Sequence, residues 1–259
     1  MIASLVVIFF AVAASIFGLL LVRRFVPAGR LAKHTDVAGY VYAVIGVLYA
    51  VILAQVVIAA WEEYRDAREG VAAEANAVLN LARIAEFWPE EDRNAVEAAL
   101  TEYASHVIDV EWTDMRQGDY DSASHTSMMH RLWQVVNAAG QKPEVSTLSY
   151  PAAVDQLNQL DEARRNRVLL AEIGLPTMMT VTLVLGAIVT VGFSYLFSVD
   201  DFWVHGLMTS SLAVLIALLL LLTYELEAPF TGSAALDPTA MEFALNEIEF
   251  VIDRAGSAS

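Results

Sequence analysis

The sequence predicts an all-α membrane protein: four transmembrane helices, with a soluble helical bundle inserted between the second and the third. Three observations lead there. Four stretches stay apolar and nearly uncharged over the ~20 residues that a helix needs to cross a ~30 Å hydrocarbon core. Residues 62–172 are instead polar, with apolar side chains recurring at helical spacing. No stretch of any length alternates apolar and polar residues as a half-buried strand does.

Composition narrows the class. The 259 residues are 57% hydrophobic with a mean hydropathy of +0.50, too apolar for a soluble domain and typical of a multi-pass membrane protein. The formal charge is -16 with only 15 Lys plus Arg. Such a chain repels phosphate backbones, so no nucleic-acid partner is expected. Cysteine is absent, which removes disulfides, thiol nucleophiles and thiolate metal sites.

The first span is Ile2 to Val22, closed by Arg23 and Arg24. Its charges follow the apolar core, whereas a cleaved signal peptide places them before a shorter one, so a retained helix is predicted. The second span, Ala38 to Trp61, runs without a breaker into EEYRDAREGVAAEANAVLNLARIAEFW. One rod is therefore expected to leave the membrane and continue in water.

In the polar region, Val71, Ala75, Val78, Leu81 and Ile84 form one helical face, and Pro89 ends that helix. The next helix starts with Glu90, Glu91 and Asp92, where the helix dipole favours acids, and presents Val96, Leu100, Tyr103, Val107 and Val110. The stretch TDMRQGDYDSAS reads as turn chemistry. A third helix follows from His125 to Gly140, then a loop, GQKPEVSTLS, and a fourth helix from Tyr150 and Pro151.

Ile173 to Phe197 is the third span and Gly206 to Leu226 the fourth, with Tyr195, Trp203 and Tyr224 near their ends as interfacial aromatics. Pro229, Gly232 and Pro238 then predict a compact turn that docks a terminal amphipathic helix or latches a neighbouring subunit. The resulting divisions are 1–61, 62–172, 173–226 and 227–259. Sidedness is balanced: Arg23, Arg24, Arg30 and Lys33 lie after the first span, and Arg65, Arg68, Arg164, Arg165 and Arg167 on the other side. The uncharged N-terminus facing Arg23 and Arg24 favours N-terminus outside.

The second span carries two stripes. Val41, Leu48, Gln55, Glu62 and Glu69 fall at heptad steps, interleaved by Val44, Val51, Ile58 and Arg65, the period at which helices wind around copies of themselves. Gly39, Ala43, Gly46, Ala50 and Ala54 form a second stripe, and small residues at such steps let helices approach closely in lipid. In one reading the first stripe lines an axial passage and the second packs its wall. In the other, both are packing faces of a bundle.

Enzymatic chemistry has little support. His125 and His130 do not stack on one helical face, and His34, His106 and His205 are scattered, so no metal site is expected. Asp119, Asp121 and Ser122 offer oxygens for a loose cation cage but lack the calcium-loop spacing. No phosphate loop or nucleophile elbow is present. Neither a cofactor nor an enzymatic activity is expected.

The segments GYVYAVIGVLYAVILAQVVIAAW, EANAVLNLARIAEFWP, EYASHVIDVEW, LDEARRNRVLLAEIGLP and LEAPFTGSAALDPTAMEFAL occur in this order through most of the chain. In them the sequence resembles the bestrophin-like family of bacterial multi-pass proteins. The resemblance implies a cell-membrane homo-oligomer, a pentamer by analogy with bestrophins, which are anion channels lined by their second helix. Bestrophins narrow their pore with bulky residues including phenylalanine, and the second span here has none, so anion selectivity does not carry over. Their topology would also place the helical domain inside, against the charges of the first helix.

The leading expectation is an ion channel with inorganic ions and the lipid bilayer as partners. Val41, Val44, Leu48 and Val51 would form an apolar constriction, Gln55 a polar ring and Glu62 a carboxylate ring that leans toward cations. The alternative is a non-conducting sensor or scaffold that oligomerises through its spans and binds a partner with its helical domain. A secondary transporter is disfavoured by the absence of inverted repeats and of deep ionisable residues.

Overall fold

A computed structural model describes residues 2–26, 35–118, 126–146, 149–172, 174 and 176–257. Among them every regular element is helical. Helix α1 spans Ile2–Phe25, α2 Thr35–Ala85, α3 Glu90–His106, α4 Trp112–Gln117, α5 Thr126–Gly140, α6 Pro143–Ser146, α7 Tyr150–Glu172, α8 Thr177–Ser194, α9 Phe202–Glu227 and α10 Thr239–Ser257. Four of these, α1, α2, α8 and α9, are long and apolar enough to cross a membrane. Arg30, Lys33, His34, Asp119, Asp121, Ser122, His125 and Ile173, singled out in the sequence, lie outside the described residues.

The chain divides into two compact units, residues 1–62 with 175–227, and residues 63–174 with 228–259. In the first, α1 and α8 both pack on α9. Their outer surfaces expose Phe9, Phe10, Phe17, Ile188 and Leu207, as lipid-facing helices do and water-facing ones do not. Several hydroxyls within the spans bond back to the preceding turn. Thr182 donates to the Met178 carbonyl at 2.8 Å, Ser211 to Leu207 at 2.8 Å and Thr223 to Leu219 at 2.9 Å, which satisfies them where no water is present.

Side chains of α2 enter this unit through a core of Tyr49, Leu53, Val56, Leu183 and Ile216. Tyr49 packs closely against Gly186 and donates to the Leu183 carbonyl at 3.2 Å. Only a glycine permits the approach, because a Cβ at position 186 would stand 2.5 Å from Tyr49 Cδ2. Tyr42 stacks on Phe193 with ring centroids 5.9 Å apart and meets Phe197 edge-on at 5.3 Å.

The second unit is a helical bundle whose core includes Val78, Leu81, Leu100, Leu132, Leu157 and Leu160. Pro89 takes the N-cap of α3, where its missing N–H costs nothing. Val71, Ala75, Val78 and Leu81 are buried on α2, with Ile84 partly so. Three expectations are corrected. The stretch after Trp112 is not a turn at its start: helix continues to Gln117 and stops only at Gly118, whose φ of 70° is the left-handed cap that glycine supplies. The loop after Gly140 contains a helical turn, Pro143–Ser146. Val110 is exposed, and Glu111 takes the core position instead.

The reason is a π-helical segment, Val107–Glu111, in which the Trp112 N–H reaches back five residues to the Val107 carbonyl. The widened turn carries the inward face from Val107 to Glu111. After α9 the chain reverses through Gly232, at φ 79°, with Leu236 N bonded to the Pro229 carbonyl at 2.8 Å. Met241, Ala244 and Ile248 of α10 then pack into the bundle core.

Replacing Gly186 by alanine should destabilise the protein by about 1–3 kcal/mol through overpacking against Tyr49. Adding Tyr49→Ala should remove that particular clash. Melting temperatures of the detergent-solubilised single and double variants measure both outcomes.

Candidate functional site

The expected pore stripe lies on the uncovered side of α2. Val41, Val44, Leu48 and Val51 are 45%, 59%, 60% and 57% exposed, and Gln55 and Glu62 are exposed as well. Packing within the chain is made by Tyr42, Tyr49, Leu53, Val56 and Ala60, a face about 140° round the helix from the stripe at 100° per residue. The small-residue stripe is not part of this packed face: Ala43, Ala50 and Ala54 are exposed and Gly39 and Gly46 half-buried.

Gln55 stands out chemically. Its amide has no partner among the described residues, on a face otherwise made of valine, leucine and isoleucine. Glu62 follows two turns later, and beyond it Arg65 pairs with Asp66 at 3.4 Å and Glu69 at 3.5 Å, all on exposed side chains. Exposed pairs of this kind contribute little to stability. No group of three or more metal-ligating side chains gathers among the described residues. His130 instead meets Gln134 at 2.9 Å, and His205 bonds to the Ser194 carbonyl and to Arg23.

The second unit holds a polar cluster that the sequence reading did not assemble. Arg167, fully buried, donates to Glu74 at 2.6 and 3.0 Å and to Glu111 at 2.5 Å. Arg164 donates to the other Glu111 oxygen at 2.9 Å, and the Tyr103 hydroxyl donates to Glu74 at 2.6 Å. The Trp112 ring lies 5.5 Å from the Arg167 guanidinium. Two carboxylates thus face two guanidiniums, linking α2, α3, the π segment and α7.

Burial alone would raise the Glu111 carboxyl, but the charges and hydrogen bonds of Arg167 and Arg164 outweigh it and hold it below its ordinary 4.5. Burial, followed by the Glu74 charge, drives the Tyr103 phenol well above its usual range. Arg167 is held charged by Glu74 and Glu111 against the desolvation that opposes it. Nothing in this arrangement is poised to react; it is a clamp. A signal for it was present: Glu74 interrupts the stripe Ala67, Val71, Val78, Leu81, and Arg167 extends the stripe Ala153, Leu157, Leu160. A charge at a core position requires an opposite charge nearby.

The sequence pattern of the Bestrophin-like domain matches residues 9–241. Among solved structures, a bacterial bestrophin homologue from Klebsiella pneumoniae superposes with a TM-score of 0.71 at 16% identity, covering 93% of this chain and 96% of that one. A single-substitution variant of the Klebsiella homologue gives 0.73 at 15% identity, covering 93% and 98%. At this identity the likeness is one of fold. No curated protein sequence matches the chain.

Arg167→Met should cost about 3–5 kcal/mol, since it leaves two carboxylates buried without their counter-charge. The pH dependence follows from Glu111. Its folded value lies below the unfolded one, so its contribution is complete above pH 4.5 and is lost as pH falls through the lowered value. Melting temperature measured from neutral to acid pH should therefore decline below that point, and Glu111→Gln should lower the neutral plateau and flatten the decline.

Proposed function

The chain belongs to the Bestrophin-like family, and on that premise we propose that it is an oligomeric membrane ion channel whose second spanning segment lines the passage. The observation that carries this reading is Gln55. A bare amide facing hydrocarbon is costly, and an aqueous axis or the same amide on neighbouring copies relieves it. The packed face of α2 points away from the stripe, so Val41, Val44, Leu48, Val51, Gln55 and Glu62 are free to turn toward such an axis.

In this arrangement the four apolar positions form a constriction that gates by dewetting. Gln55 gives the permeating ion a polar ring below it. Glu62 from each copy makes a carboxylate ring at the mouth, which concentrates cations and leads to a weak cation preference. Gly39, Ala43, Gly46, Ala50 and Ala54 serve contacts between neighbouring copies. Residues 1–61 and 173–226 occupy the bilayer, a bacterial cell membrane. Residues 62–172, inserted between the second and third spans, form a helical body in water together with the tail 227–259. The assembly is a homo-oligomer, a pentamer by family analogy.

Purified protein fused into planar bilayers should give discrete current steps. Leu48→Thr, which wets the constriction, should raise open probability several-fold. Under a salt gradient, Glu62→Gln should move the reversal potential toward that of the anion. A silent bilayer from correctly assembled protein overturns the reading.

A further inference from the structure

In the first unit α1 and α8 both rest on α9, and the space left between them is a groove of about 320 Å³. Its lining comes mostly from small side chains: Ala11 and Ala14 of α1, Ala187 and Gly192 of α8, Ala213 and Ala217 of α9. Among the described residues no side chain fills it. One end is closed by the Tyr195 ring, which lies so close over Gly18 that a Cβ there would be 2.7 Å from Tyr195 Cε2.

Ser15 lines this groove, is 2% exposed, and its Oγ has no hydrogen-bond partner among the described residues. The Tyr195 hydroxyl stands near it without reaching hydrogen-bond geometry. Several other span hydroxyls bond to the preceding turn, as Thr182 and Thr223 do. Thr190 and Ser210 are also unpaired, but neither lines the groove. An apolar trough therefore has two hydroxyls at one end and an open requirement for a hydrogen bond.

We infer that the groove between α1 and α8 binds a neutral single-chain amphiphile, with its hydroxyl or carbonyl on Ser15 and Tyr195 and its aliphatic chain along Ala11, Ala187 and Ala217. Depth decides the head group. Ser15 lies eight residues before Arg23, about 12 Å along the helix, where a phosphate or other charged head would be stripped of water without a counter-charge. A hydroxyl or carbonyl at that level gains a bond and leaves none broken. The floor from Ala213 to Leu220 is about 10 Å long at 1.5 Å per residue, and Ala213 and Ala217 leave room beside Ile216 and Leu220 for one chain.

The test uses the full-length protein in phosphatidylcholine vesicles, with a medium-chain alcohol that carries a photoactivatable group at its far end. Irradiation should place cross-links in the 11–18, 187–195 and 213–220 segments. Ala217→Leu, which fills the trough from its floor, should weaken labelling roughly tenfold, and Leu207→Ala on the outer face should leave it unchanged. Ser15→Ala should weaken labelling by the alcohol but not by the matching alkane, a difference that a purely structural role of Ser15 would not produce. Circular dichroism melts establish that each variant is folded. Labelling spread over all outward faces and indifferent to Ala217→Leu overturns the inference. So does efficient disulfide linking of copies through Ala14→Cys in this cysteine-free chain, which would place a second copy in the groove.

Discussion

Hydrocarbon offers no hydrogen bonds, and that constraint orders most of what this chain does. It requires helices wherever the chain crosses the bilayer. It turns the hydroxyls of Thr182, Ser211 and Thr223 back onto their own backbone. The few polar groups that escape this rule become the places where function is sought. Gln55 and Ser15 are two such groups, one on an uncovered helix face and the other in a trough between helices.

Away from those spans the problem is inverted. The second unit has a large apolar core, yet it places two carboxylates and two guanidiniums in its middle. Such a cluster adds less to stability than apolar packing of the same volume often would. It does, however, restrict how α2, α3 and α7 can meet, because any other register strands a charge. The tail is held by similar directional contacts: the Trp112 indole donates to the Leu236 carbonyl at 3.2 Å, the Tyr64 hydroxyl donates to the Ala234 carbonyl at 3.0 Å, and Phe230 packs edge-on against Trp112.

Much of the helical architecture was legible in the sequence. Length and apolarity found all four spanning candidates, Pro89 marked a helix boundary, and the 3.6-residue period found the core faces of α2 and α3. What periodicity could not supply was a change of period. Val110 was expected inside because the count assumed a regular helix, and the π segment moved that position to Glu111. The extension to Gln117 was missed because Asp, Arg and Gln after Trp112 resemble a loop until Gly118 is seen as the cap. On α2 the small-residue stripe was easier to see than the face that packs within the chain. That face depends on Tyr49 meeting Gly186, which lies far away in sequence.

The widened turn at Val107–Glu111 makes chain length itself a structural parameter. Composition alone would tolerate one residue fewer there, since a regular helix is the lower-energy local form. With that residue gone the segment would close into regular turns, four residues at about 100° replacing five in a wider turn, and everything downstream would keep its phase to within a few tens of degrees. The indole's hydrogen bond to Leu236 and the ring contact with Phe230 would survive. The same deletion in the regular helix before Val107 would instead swing Trp112 by about 100° and break both, so the widened turn is the one place in this helix where the chain can shorten by a residue.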